Sequence, residues 1–176
     1  MPGRCVLISG GVRSGKSAFA ENYIMQSKQQ RQAVYIASGV AFDDEMKKRI
    51  KRHKHDRRND GWITIEVPHE LPARLSEFNE THILLWDCIT TWLTNILFEN
   101  LPVEDMVEKL KEQLHQWRKR GMTVVIVSNE VLDAGICKYE FTANYQRLLG
   151  QLNQWLVAFC DEAYELDYGF VKRWKG

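Results

Sequence analysis

Short apolar runs alternate with amphipathic segments from one end of the chain to the other. Cys5-Val6-Leu7-Ile8 is a continuous run of strand type, and Ala33 to Ala37 is a second. Between them, Lys16 to Gln29 carries Phe19, Tyr23 and Ile24 on one face and predicts a helix. Asp43 to His55 predicts a charged helix, capped by Asp43 or Asp44, with Met46 and Ile50 four positions apart. Trp62 to Val67 alternates with period two, setting Trp62, Thr64 and Glu66 against Ile63, Ile65 and Val67, as a half-buried strand does. Leu71, Leu75 and Phe78 predict a further helix, His82 to Trp86 a buried strand stopped by Asp87, and Thr90 to Phe98 an apolar helix. Val103, Val107, Leu110, Leu114 and Trp117 give a long amphipathic helix ending at Gly121. Thr123 to Val127 is the most β-branched strand. A helix over Glu140 to Phe159 and a hairpin from Ala163 to Trp174 around Asp167-Tyr168-Gly169 complete the chain.

Strands alternating with helices of this length imply βαβ units and a mostly parallel, doubly wound sheet, an α/β fold in three layers. The 176 residues show no repeat and no long linker, so residues 1–176 are expected to form a single domain. Composition narrows the class. Aromatic residues at 11% and only four prolines describe a packed chain rather than a disordered one. The 24 basic and 23 acidic residues leave a net charge of +1, which argues against a bulk nucleic-acid partner. No stretch approaches the ~20 apolar residues of a membrane span, and Met1 to Cys5 lacks a secretory layout. Cys5, Cys88, Cys137 and Cys160 stand singly, without metal-ligand spacing. They are expected to be buried free thiols in a cytoplasmic protein.

Chemistry enters at Gly10-Gly11-Val12-Arg13-Ser14-Gly15-Lys16-Ser17, which fits Gly-x-x-x-x-Gly-Lys-Ser/Thr between a strand and a helix. Glycines let successive N–H groups converge on phosphate oxygens, and the helix N-terminus adds its positive end. Lys16 would reach the β- and γ-phosphates of ATP or GTP, and the Ser17 hydroxyl would ligate Mg²⁺. Arg13 adds a cation within the loop. The loop alone leaves kinases, ATPases, GTPases and nucleotidyltransferases open. Asp87, at a strand's C-terminal end, points toward the ligand crevice of such sheets, as a Mg²⁺ ligand or base; the other reading is a helix N-cap. Ser128-Asn129-Glu130 ends its strand in an equivalent place and fits either substrate contact or strand-end capping.

Eight Lys and Arg residues crowd the span Lys47 to Arg58, with His53 and His55 among them. A solvated face or an RNA-binding stripe is one reading. Met46, Ile50 and His53 follow i, i+4, i+7, which puts His53 on the apolar face and suggests a packing role. A neutral imidazole can also attack an α-phosphate, with Lys51, Arg52, Lys54, Arg57 and Arg58 neutralising the pyrophosphate released.

Four blocks carry a resemblance that spans Val6 to about Ala163. They are Ser9 to Ser17; Asp43-Asp44-Glu45-Met46 with Arg49-Ile50 and His53; Leu84 to Asn95; and Val127 to Val131. In this order and spacing the chain resembles the bifunctional adenosylcobinamide kinases / adenosylcobinamide-phosphate guanylyltransferases of cobalamin biosynthesis. The resemblance implies a RecA-like P-loop fold, often homotrimeric, and two reactions. One phosphorylates the aminopropanol hydroxyl of adenosylcobinamide, a corrinoid; the other moves GMP from GTP to that phosphate through a GMP-histidine. It implies that His53 is the guanylylated residue, and that Ser38, Gly39, Val40, Arg57, Glu66 and Asp87 join the nucleotide site, with Glu66 accepting from a guanine edge. After Val131 the chain departs from the family pattern. Leu132 to Cys137 replaces a Gly-x-Gly-Ile/Val-Val-Pro stretch, and Glu140 and Ala143 stand where basic side chains are expected. Alternatives are a diverged P-loop kinase keeping one activity, and a nucleotide-binding regulatory or RNA-binding module.

Overall fold

A computed structural model describes residues 3–11, 13–40, 43–129 and 139–176, with side chains of the last segment described from residue 143. Val12, Glu130, the departing stretch Leu132 to Cys137 and the side chain of Glu140 therefore lie outside the described residues.

Seven strands form one sheet: β1 (Cys5–Gly10), β2 (Gln32–Ala37), β3 (Ile63–Glu66), β4 (His82–Asp87), β5 (Thr123–Asn129), β6 (Glu162–Asp167) and β7 (Phe170–Lys175). Their order is β3-β2-β4-β5-β1-β6-β7. All neighbours are parallel except β6 and β7, which form the expected antiparallel hairpin. The helices are α1 (Lys16–Ser27), α2 (Asp44–Asn59), α3 (Ile89–Phe98), α4 (Val103–Lys119) and α5 (Tyr139–Phe159).

The alternation of strand side chains sorts the core into two layers. Leu7, Val34, Ile36, Leu84, Trp86, Val124 and Ile126 point to one face, where Trp92, Leu110, Leu114, Trp117, Leu149 and Leu156 of α3, α4 and α5 cover them. Val6, Ile8, Tyr35, Ile83, Leu85, Val125 and Val127 point to the other, under Ala20 and Ile24 of α1. This is the expected three-layer α/β fold. The second face opens toward the phosphate loop.

Two expectations need correction. Leu71 to Phe78 is not an α-helix but a short 3₁₀ turn, Ala73–Glu77: Pro72 disfavours helical backbone at Leu71, and Pro72 and Phe78, themselves extended, bound the turn on either side. Leu75 and Phe78 are buried all the same. The helix after β4 starts at Ile89, and its N-cap is Cys88, whose Sγ accepts from Thr91 N; Asp87 is not the cap.

Candidate active site

β1 delivers the phosphate loop. At Gly10 there is no room for a side chain: a Cβ would stand 2.5 Å from the Leu166 carbonyl oxygen and 2.7 Å from Ser14 Oγ. Gly15 takes φ 88°, left-handed, immediately before α1, and Arg13 also has positive φ, at 57°. The α1 N-terminus carries no side-chain cap, so its N–H groups are available to an anion. Lys16 is 9% exposed and folds back over the loop, with Nζ donating to Gly11 O at 2.8 Å. Ser14 is buried, and its hydroxyl lacks a hydrogen-bond partner among the described residues.

A cleft of roughly 340 Å³ opens beside the loop, lined by Ser17, Glu21, Gly39, His53, Arg57 and Glu66 among others. Asp87 belongs to the same wall. Its parity along β4 puts it on the α1 side of the sheet, where Tyr35 donates its hydroxyl to Oδ2 at 2.7 Å. The Arg57 guanidinium lies over the Tyr35 ring, 3.7 Å from the centroid. Burial drives the Tyr35 phenol far above its ordinary range, and the Asp87 carboxylate beside it adds to the rise. Glu21 sits one turn beyond Ser17. Burial raises its pKa above the usual carboxylate value; Arg57 opposes that rise, while Asp87 and Asp60 reinforce it. The Ser17 and Asp87 side chains, both of which end in hard oxygen donors, line the cleft. No cluster of three or more His, Cys, Asp or Glu suited to a metal occurs among the described residues.

α2 forms the outer wall. Its Asp43 cap accepts from Met46 N at 2.6 Å, Asp44 and Glu45 occupy its first turn, and Arg57 and Arg58 its last, in keeping with the helix dipole. None of its residues is buried. His53 is therefore not the packing residue its spacing suggests. It is exposed and lies between the cleft and a broader basin of roughly 1030 Å³, to which Arg13, Lys48, Arg49 and Arg52 also contribute. Lys54 and Arg57 face the cleft; Lys51 and Arg58 border neither space. Glu66 projects into the cleft and pairs with Lys54 at 3.1 Å.

The structure thus gathers Ser17, Gly39, His53, Arg57, Glu66 and Asp87 around one cleft. Val40 is exposed beside it. Ser38 is not brought in by its side chain: it is fully buried, and its Oγ accepts the Trp86 indole N–H at 2.7 Å. Ser128 likewise turns inward, donating to Asn153 Oδ1 at 2.8 Å beside Thr90, so strand-end packing describes it. Tyr35 and Glu21 are cleft residues that sequence reasoning missed. Glu21 falls four positions after Ser17, a helical spacing that could have found it. Tyr35 was hidden inside an apolar strand run.

Known proteins resemble this chain over most of its length. The family described as cobinamide kinase / cobinamide phosphate guanyltransferase matches residues 6–173. The bifunctional adenosylcobalamin biosynthesis protein CobU of Escherichia coli (strain K12) is 30% identical over 172 residues, covering 90% of this chain and 93% of that protein. Its namesake from Salmonella typhimurium is 32% identical over 175 residues, with 90% and 93% covered. The bifunctional adenosylcobalamin biosynthesis protein CobP of Pseudomonas aeruginosa is 37% identical over 158 residues, with 88% of each chain covered. An α/β sheet that carries a phosphate loop, matched over nearly its whole length, belongs to the family of cobinamide kinases / cobinamide phosphate guanyltransferases.

Proposed function

We propose that this chain phosphorylates the aminopropanol hydroxyl of adenosylcobinamide and then transfers GMP from GTP to the new phosphate through a GMP–His53 intermediate. The observation that carries this reading is the single cleft shared by Ser17, Asp87, Arg57 and His53. In the first reaction the loop N–H groups and Lys16 hold the β- and γ-phosphates of ATP or GTP, and Asp87 faces the attacking hydroxyl. Lys16 exchanges its bond to Gly11 O for a phosphate oxygen. Ser17 and Asp87 would hold Mg²⁺, which neutralises charge on the transferring group.

In the second reaction a ring nitrogen of His53 forms a bond to the α-phosphorus of GTP while the bond to pyrophosphate breaks. The pyrophosphate leaves among cations: Arg13 and Arg52 line the basin and Arg57 the cleft that His53 borders. An oxygen of the cobinamide phosphate then attacks the same phosphorus, the P–N bond breaks, and the imidazole is regenerated. Glu66, on releasing Lys54, accepts from a guanine edge; its exposure at the cleft wall supports this reading. No helix among the described residues is long and apolar enough to cross a membrane. Buried free thiols at Cys5, Cys88 and Cys160 suit a cytoplasmic protein, and the resemblance to the family supports a homotrimer.

Incubation with α-labelled GTP should leave acid-labile label on the protein, and His53→Ala should abolish it. An unlabelled wild type refutes the transferase half. Label that persists in His53→Ala refutes His53 as the nucleophile. Incubation of adenosylcobinamide with GTP, resolving phosphorylated from GDP-linked product, tests both halves at once.

A further inference from the structure

Tyr35 touches two charged side chains that line the cleft. Its hydroxyl holds Asp87 Oδ2 at 2.7 Å, and its ring carries the Arg57 guanidinium at 3.7 Å. The side chain is only 7% exposed and is wedged edge-on against Trp62, with ring centroids 6.0 Å apart and planes at 72°. It therefore has little freedom to follow either partner. Arg57 enters none of the ion pairs among the described residues, and its buried Nε has no hydrogen-bond partner there. Stacking on the Tyr35 ring orients its charge. Asp87 keeps its second oxygen clear of any side-chain donor among the described residues, while the first is fixed from below.

We propose that Tyr35 is a positioning residue with two separable duties: its hydroxyl sets the rotamer of Asp87 for phosphoryl transfer, and its ring aims Arg57 at the nucleotide phosphates. The proposal rests on the phosphoryl-transfer reading above. The two duties lie on different atoms, so two substitutions part them. Tyr35→Phe keeps the ring and the stacked cation but frees Asp87 to rotate. Tyr35→Leu removes both supports. An ordinary packing role would make the smaller change the milder in every respect and would link lost function to lost stability.

The test measures nucleotide dissociation constants directly by calorimetry, kcat for cobinamide phosphorylation, and melting temperature for each variant. Tyr35→Phe is expected to bind nucleotide within about twofold of wild type while kcat falls about tenfold, the size of one hydrogen bond to a charged group. Tyr35→Leu is expected to show the same kcat loss together with roughly three- to tenfold weaker nucleotide binding, from the lost cation–π contact. That affinity loss should vanish when Tyr35→Leu is made in an Arg57→Ala background, since the ring then has no cation to aim. Wild-type kcat in Tyr35→Phe overturns the first duty. Additive affinity losses in the double variant overturn the second. If the wild type binds nucleotide yet phosphorylates no cobinamide, the functional reading fails by itself, and the affinity cycle still decides the Arg57 duty.

Discussion

Placing one methyl group at Gly10 should disable the phosphate loop from its base. The Cβ of a Gly10→Ala variant would lie 2.5 Å from the Leu166 carbonyl oxygen, on the partner strand β6. Restoring ordinary contact at 3.4 Å requires the two strands to part by about 0.9 Å. Ser14 Oγ, the second obstacle at 2.7 Å, can rotate away; the carbonyl cannot. Overpacking of this kind costs about 1–3 kcal/mol, and a loosened ladder bond at the Gly10–Leu166 register adds about 1 kcal/mol. A loss near 3 kcal/mol would lower Tm by about 6–12 °C in a chain of this size. The loop begins at the displaced residue, so nucleotide affinity should fall more than about tenfold as its N–H groups lose their common focus. Gly150→Ala is the matched control. Nothing lies within 4 Å of its added Cβ, and it sits inside α5, where alanine stabilises by about 0.5–1 kcal/mol. Differential scanning calorimetry and nucleotide titration on both variants settle the matter. A Gly10→Ala protein that melts and binds as wild type would refute the crowding described at the β1–β6 seam.

Ser38→Ala should cost about 1–3 kcal/mol in urea denaturation, because the Trp86 indole N–H loses its acceptor inside the core. Nucleotide affinity should stay unchanged, and a fall in affinity without a fall in stability would return Ser38 to the binding site. Glu21→Gln should stabilise the nucleotide-free protein at neutral pH. A carboxyl whose folded pKa is raised binds more protons folded than unfolded, so stability declines as pH rises from the ordinary value of 4.5 through the folded one. The advantage of Glu21→Gln should be absent below that window and reach no more than about 1 kcal/mol above it, given the partial exposure of the group. Denaturation series at pH 4 and pH 7.5 that show equal differences would refute this.

Reading strands from the chain worked because both faces of the central strands are buried. Leu84 and Trp86 serve one layer and Ile83 and Leu85 the other, and a continuous apolar run is what that geometry demands. Reading α2 was harder for the complementary reason. Periodicity reports burial, and a helix with no buried residue leaves Met46 and Ile50 as a weak guide to which side faces the protein. Hence His53 looked like a packing residue on spacing, although it stands exposed at the edge of the cleft. The phosphate loop shows in the sequence because its backbone requirements fall on glycine and lysine at fixed offsets, and Gly10, Gly15 and Lys16 stand where β1 turns into α1. Ser38 and Tyr35 were misjudged or overlooked because rotamer direction and through-space pairing, with Trp86 in one case and Asp87 and Arg57 in the other, leave no trace in local pattern.

The seating of β1 bears on how the protein comes into being. Its two neighbours in the sheet are β5 and β6, both drawn from the far end of the chain. Its first residue is fastened there too, with Cys5 N donating to Asp161 Oδ2 at 2.8 Å and the Cys5 and Cys160 sulfurs 2.9 Å apart, across a separation of 155 residues. One edge of β1 must therefore wait for β5 to leave the ribosome, and the other for β6, beyond the whole of α5. Pairing over such distances is slow, since loop closure precedes its reward. The seat of the phosphate loop is thereby completed late in synthesis. A nascent chain interrupted before β6 would hold every residue of the phosphate loop and still lack the Leu166 backbone against which its first glycine is set.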